Sequence, residues 1–262
     1  MAKVGIYLPA YNAGKYIERT INSIKAQEMR DWQLVLIDDA SDDDTFDKAA
    51  KAAEGDPRIS AHREEEHCGL IGKLKNKCIS MLDQSEYICH VGAEDLIPPY
   101  CLRIFCQAMD GSPHVGAACG TFVAFDNQGK QWHFPHVVRD KGFSSERLMR
   151  YMCMYPHRFY RRAVVEKVGG YSDELSSAVD YDLSLRLDET TAIMRLEKPV
   201  TYYYRQHMEQ VSRRDRVQQD ANAKKALQDA IDRRGLDLKI QNDAPPFVLS
   251  KKQPEHFIWG KK

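Results

Sequence analysis

Three short stretches of this 262-residue chain concentrate side chains that could do chemistry. Asp38-Asp39-Ala40-Ser41-Asp42-Asp43-Asp44-Thr45 sets five carboxylates within seven positions, more than capping a helix requires. Such acids repel one another unless some bind a ligand or face water; at a strand end they can accept from a base N–H or a ribose hydroxyl. The competing reading is an ordinary N-cap followed by a solvated face at Asp42–Asp44. Val91-Gly92-Ala93-Glu94-Asp95 offers adjacent carboxylates suited to a hard divalent cation, Mg²⁺ or Mn²⁺, bridging to phosphate oxygens. Alone, a Glu-Asp step in a loop is more often surface decoration. Pro9-Ala10-Tyr11-Asn12-Ala13-Gly14 joins an apolar run to a helical pattern, where backbone N–H groups favour an anion. It is neither a GxGxxG turn nor a Walker A loop, and a plain turn capped by Asn12 is the alternative. Trp132, His133 and Phe134 offer rings on which an acceptor sugar could stack.

Alternating elements position these stretches. Strands are expected at Val4–Leu8, Gln33–Ile37, Arg58–His62 and Tyr87–Val91, with helices over Lys15–Gln27, Thr45–Ala53 and Ile71–Leu82 between them. That alternation predicts βαβ units and a parallel sheet, whose right-handed crossovers gather the following loops on one edge. The second half changes character: strands at Gly116–Phe125 and His157–Tyr160, a turn at Asp126–Gly129, helices at Arg161–Val168 and Asp180–Leu187. Strands at Ala192–Leu196 and Val200–Tyr204 and a polar helix over Arg216–Arg234 follow. A tail from Lys239 carries Pro245-Pro246 and scattered aromatics, an arm suited to packing on the body or on a partner.

With 43% hydrophobic and 29% charged residues, the composition is that of a soluble globular chain. Net charge is +0, so no global field draws it to nucleic acid or an anionic membrane, and any bound anion needs a local site. No apolar run approaches a bilayer span, and the first residues enter a strand without a leader's apolar region. At most, Lys224–Arg234 permits peripheral membrane association. Seven cysteines with no CxxC pair read as reduced thiols, hence a cytoplasmic protein with neither a zinc site nor a disulfide framework.

The segments PAYNAGKYIERTINSIKAQ, WQLVLIDDASDDDT, DPRI, GLIGKLKNKCI and YICHVGAEDLIPPYCL resemble, in order and spacing, the N-terminal half of family 2 glycosyltransferases. PHRFYRRAVVEKVGGYSDELSSAVDYDLSLRL and TYYYRQHMEQVS are similar to that family's acceptor-side blocks, so the likeness covers about residues 3–213. The resemblance implies a GT-A fold, a Rossmann-like α/β mixed sheet flanked by helices. It forms a single domain over 1–213, with a nucleotide-binding half at 1–110, an acceptor-side half at 111–213 and a C-terminal helical extension at 214–262. It implies a nucleotide-sugar donor, a UDP-sugar, an inverting displacement, a divalent cofactor, and a saccharide or other hydroxyl acceptor, as in bacterial surface polysaccharide synthesis.

Carried over by position, Pro9, Tyr11 and Asn12 line the nucleotide pocket, and Asp39 meets the uracil edge supported by Asp38 and Ser41. Lys73, Lys75 and Asn76 stand near the diphosphate. By the same resemblance, Glu94 and Asp95 would be the metal ligands, His207 a second metal or diphosphate contact, and Asp180 the catalytic base. For Asp180 and Asp182 the bland alternative is a pair of acids complementing a helix dipole. Two positions depart from the pattern: Gly92 replaces the first aspartate of the metal motif, and Val179 precedes Asp180 where the family has Glu. The departure at Gly92 motivates a rival reading, a catalytically weak GT-A module that binds nucleotide or saccharide. A sugar nucleotidyltransferase would carry a glycine-rich loop where this chain has PAYNAGK.

Overall fold

The computed structural model describes residues 2–134, 142–207 and 215–251. Its centre is a mixed eight-stranded sheet. β1 (Val4–Ala10), β2 (Trp32–Asp38), β3 (Ile59–Arg63) and β4 (Tyr87–His90) run parallel in the order β3-β2-β1-β4. All seven residues of β1 are buried, as expected for a strand covered on both faces. Helices α1 (Ile17–Lys25), α2 (Thr45–Ala53) and α3 (Ile71–Met81) make the crossovers. The apolar spacing of α1 turns Ile17, Ile21 and Ile24 into the core, while Glu18 and Lys25 complement its dipole.

Beyond β4 lie β7 (Arg158–Arg161), β5 (Val115–Phe125) and β6 (Gln131–Trp132). β7 runs antiparallel to both neighbours, and β8 (Ala192–Arg205) joins β5 in parallel. This direction count matters for the site. The C-terminal ends of β1, β2, β4, β5 and β8 and the N-terminal end of β7 all meet at one edge of the sheet. Ala10 is level with Asp38, Tyr7 with His90, and Phe125 with Arg205. Arg158 begins β7 one residue before the Cys89–Phe159 pair.

The expected strands at 192–196 and 200–204 are one strand that passes three shifts of register against β5. A helix that apolar patterning did not single out, α4 (Cys101–Asp110), follows the two prolines after β4 and buries Leu102, Phe105 and Met109. The remaining helices are α5 (Ser145–Leu148), α6 (Arg162–Lys167), α7 (Val179–Asp188) and α8 (Arg216–Arg233). α8 packs on α7 through Ala223, Ala226, Leu227, Ala230 and Ile231. Between Lys239 and the last described residue the tail packs as a hairpin of β9 (Leu238–Ile240) and β10 (Leu249–Lys251), with Phe247 buried; its later aromatics lie outside the described residues. Among the described residues no helix is long and apolar enough to cross a membrane.

Candidate active site

The loops after β1 and β2 are stitched together residue by residue. Asn12 sits in the left-handed region at φ 51, its N–H donating to Ser41 Oγ at 2.9 Å while its Oδ1 accepts from Asp42 N at 3.0 Å. Asp38 is fully buried and accepts from the Ser41 N–H at 3.2 Å and from the Ser41 hydroxyl. Pro9 is buried in the last part of β1 beside Ile37. Of the five acids, therefore, Asp38 builds the turn. Asp43 accepts from Gly14 N at 2.9 Å and from Thr45, bonds that outweigh its burial and lower its pKa, and Asp44 pairs with Lys48 at 2.8 Å.

Asp39 is different, because its partners come from a separate segment. Its Oδ1 accepts from Cys68 N at 2.9 Å and its Oδ2 lies 2.8 Å from His67 Nδ1. The His67 ring stacks on Tyr11, centroids 4.2 Å apart and planes 24° apart, and Tyr11 keeps 37% of its surface exposed. A planar ring above a tyrosine, with a carboxylate at its edge, is the arrangement a pyrimidine base needs. His67 was not among the sequence candidates; only its place between β3 and α3, opposite Asp39, marks it.

Seen from the sheet edge, β8 supplies the next cluster. Asp95 is buried, with Oδ2 accepting from the Tyr202 hydroxyl at 2.7 Å and Oδ1 from Arg205 N at 2.8 Å. Burial pushes its carboxyl up to about 7, against the pull of those hydrogen bonds. The Gly92 N–H donates to the same Tyr202 hydroxyl at 2.9 Å, and a Cβ at Gly92 would lie 2.5 Å from Asp95 Oδ2. Asp95 thus occupies the space a side chain at 92 would need. The structure engages both oxygens of Asp95, expected as a metal ligand, with residues of β8. Glu94 instead approaches His207, Oε2 to Nε2 2.6 Å, and His207 Nδ1 is buried without a partner among the described residues. At that separation the two groups bond each other directly; a carboxylate and an imidazole are ligand types that a cation such as Mn²⁺ accepts once that bond opens. Among the described residues no group of three or more His, Cys, Asp or Glu is assembled.

The third cluster surrounds Asp180 at the start of α7. Lys75 Nζ donates to Asp180 Oδ1 at 2.8 Å and Arg158 Nη2 to Oδ2 at 3.4 Å. Burial would raise the Asp180 pKa, but Arg158 and Lys75 outweigh it and hold the carboxyl well below its usual range. Burial lowers the pKa of Lys75, whose ammonium also lies 4.7 Å from the centre of the Tyr171 ring. His90 is kept neutral, first by burial and then by Lys75 and Arg158. Asp180, Arg158, His90 and Asp95 line one cavity of about 210 Å³, walled also by Pro156, His157, Tyr202 and Tyr204. Asp182 faces away, paired with Arg186 at 2.5 Å.

Asn76, expected near the diphosphate, is bonded to the segment before Asp180. Its amide bonds Tyr171 N and Tyr171 O at 2.9 and 2.8 Å and reaches Asp173 at 2.9 Å, so it latches the loop that leads to Asp180. Gly170, at φ 72, makes that latch possible, since a Cβ there would come 2.7 Å from Asn76 Oδ1. Lys73 stands on the exposed face of α3. Trp132, His133 and Phe134 lie at the far edge, where Phe134 packs near Phe122. Sequence reasoning missed Arg158 and His90, which sit at strand ends without a motif of their own.

Solved structures with this architecture include the S. aureus TarS fragment 1–349 in complex with UDP-GlcNAc, at a TM-score of 0.68 and 20% identity, over 79% of this chain and 60% of that one. The mannosyltransferase PcManGT from Pyrobaculum calidifontis, in complex with GDP-Man and Mn²⁺, matches at a TM-score of 0.67 and 19% identity over 94% of this chain and 66% of that one. Among curated proteins, the chondroitin synthase of Escherichia coli is 24% identical over 89% of this chain, which spans only 33% of that protein's length. The putative colanic acid biosynthesis glycosyl transferase WcaA of E. coli K12 is 25% identical, covering 80% of this chain and 83% of its own. Residues 6–169, more than half of the sequence, match the family model described as glycosyl transferase family 2, and the chain belongs to that family.

Proposed function

We propose that this chain transfers a sugar from a nucleoside diphosphate donor, a UDP-sugar, to a saccharide hydroxyl with inversion, in the synthesis of a bacterial surface polysaccharide. The observation that carries the reading is the ionised Asp180, opening onto the same cavity as Asp95 and held there by Lys75 and Arg158. In this reading residues 1–110 hold the nucleotide, 111–213 face the acceptor, and 214–262 form an extension.

The Tyr11–His67–Asp39 group would take the base, His67 yielding its place on Tyr11. Asp38 and Ser41 keep that loop rigid rather than touching the nucleotide. Lys75 is the cation best placed for the diphosphate. As it turns to the phosphate, Asp180 loses one of the two charges that suppress its basicity and can take the proton of the attacking hydroxyl. Glu94 and His207 would hold a divalent ion, which when bound neutralises charge on the leaving diphosphate. Asp95 anchors the Glu94 loop to β8. All seven cysteines are free thiols, six of them buried, which fits a reducing cytoplasmic setting.

Isothermal titration with UDP-, GDP- and dTDP-sugars, with and without Mn²⁺, identifies the base. Transfer is then followed in the protein and its Asp180→Asn variant. Donor binding without any transfer or donor hydrolysis by the unmodified chain would favour the second reading, a nucleotide-binding module. The observation on its side is that, among the described residues, Gly92 and the committed oxygens of Asp95 leave only Glu94 and His207 at the expected metal position.

A further inference from the structure

The two candidate metal ligands stand on separate segments, Glu94 on the loop after β4 and His207 just past the end of β8. Ligands from different segments grip a cation only as well as those segments are held against each other. One side chain spans both. Arg205, the last residue of β8 and two before His207, is 3% exposed, and its Nε donates to the carbonyl of Glu94 itself at 2.8 Å. That bond fixes the peptide plane from which the Glu94 carboxylate leaves the loop.

The same guanidinium carries the grip further. Its carbon lies over the rings of Phe125 and Tyr16, 4.4 and 4.6 Å from their centres. Nη1 donates to Asn127 Oδ1 at 3.2 Å, in the turn after β5, and Asn127 Nδ2 donates to the Tyr16 hydroxyl at 3.1 Å. The Tyr16 ring in turn rests against His207, centroids 5.3 Å apart and planes 40° apart. Glu94 and His207 are thus reached from one guanidinium by two routes, a carbonyl on one side and a tyrosine ring on the other. Arg205 is itself a cation without a lone pair, so it acts through these neighbours. A lysine could sit against the rings, but its compact ammonium lacks the planar fork that aims one N–H at Glu94 and another at Asn127. We propose that Arg205 is a positioning residue for the divalent cation, holding Glu94 and His207 at the spacing the ion needs. This rests on the metal-assisted reading above and adds to it the part of the fold that sets metal affinity.

Mn²⁺ binding to the full chain in saturating UDP, followed by electron paramagnetic resonance, tests the assignment, with UDP binding in the absence of metal as the comparison. Arg205→Lys should weaken Mn²⁺ at least about tenfold and leave the metal-free affinity for UDP within about threefold. Asn127→Ala removes only the outer link and should weaken Mn²⁺ by about threefold. Tyr16→Phe removes the same bond from its other end and should do the same, with the double variant no worse than either. Unchanged Mn²⁺ affinity in Arg205→Lys overturns the proposal. So do equal losses of Mn²⁺ and of metal-free UDP binding, because Arg205 would then be a general brace of this edge. Circular dichroism checks each fold; should Arg205→Lys not fold, Asn127→Ala and Tyr16→Phe decide, and unchanged Mn²⁺ affinity in both overturns it. Should the unmodified chain bind UDP but no Mn²⁺, the metal reading itself falls and the proposal with it.

Discussion

The loops proposed to hold the nucleotide and the pocket around Asp180 hold their charges by opposite means. Around Asp38 and Asp43, carboxylates are satisfied by hydroxyls and backbone N–H groups, most of them within a few residues and one, Gly14 N, from the adjoining loop. Around Asp180, the partners come from 105 and 22 residues away, on α3 and β7, and Lys75 is nearly sealed from solvent. A loop built from local bonds loses one contact when one residue changes. A buried charge set leaves an uncompensated ion when one member is removed. Function and stability should therefore be separable at the first region and entangled at the second.

Asp180→Asn tests that entanglement most severely. Transfer should fall by about 10²–10⁴, and the fold should lose on the order of 3 kcal/mol at neutral pH because Lys75 and Arg158 lose their counter-ion. The Asp180 pKa is depressed in the folded state, so its contribution is complete above the unfolded carboxyl value of about 3.9 and fades as pH falls below it. Thermal melts of both proteins should thus differ most near pH 7 and converge below about pH 4; a gap that widens on acidification would sink this account.

Gly92→Asp would restore the family pattern on paper. Here its Cβ meets Asp95 Oδ2, so we expect a loss of about 1–3 kcal/mol and no gain of Mn²⁺-dependent activity. A more active variant would show that Asp95 yields to a ligand role.

Asn222 probes the pocket from behind. From α8 it donates to Ser177 Oγ at 2.9 Å and Ser176 Oγ at 3.1 Å, bracing the loop whose Ala178, at φ 57, precedes Asp180. Asn222→Ala should cost about 1–2 kcal/mol and slow transfer with donor affinity unchanged. Parallel losses in both would make it a general stabiliser. The smallest effect is expected at the other region: Tyr11→Ala should weaken UDP binding by about 1 kcal/mol, roughly fivefold, through lost stacking. Its melting point should stay put, and a large shift would show that the nucleotide edge is not locally self-sufficient.

The same contrast governs what could be read from sequence. Asp39, Glu94 and Asp180 announce themselves because each lies in a short motif after a strand or before a helix, and the βα alternation fixes their edge. Arg158 and His67 do not, since their meaning depends on pairing with residues placed by the sheet order rather than by spacing. Asp95 and Asn76 show the converse. Their motifs are legible, but the tertiary partners Tyr202, Arg205 and Tyr171 turn both side chains to holding the loops. Patterning also split β8 at Lys198-Pro199, because a proline ends a strand locally while long pairing with β5 carries it through.

The His67 ring resting on Tyr11 has a thermodynamic consequence. With the tyrosine face already covered by an imidazole, a base entering there exchanges one stacked ring for another and removes little new apolar surface from water. Nucleotide binding at this site should then show only a small negative heat-capacity change, with affinity arising from polar contacts at Asp39 and the phosphates. A calorimetric temperature series on UDP would read that exchange directly.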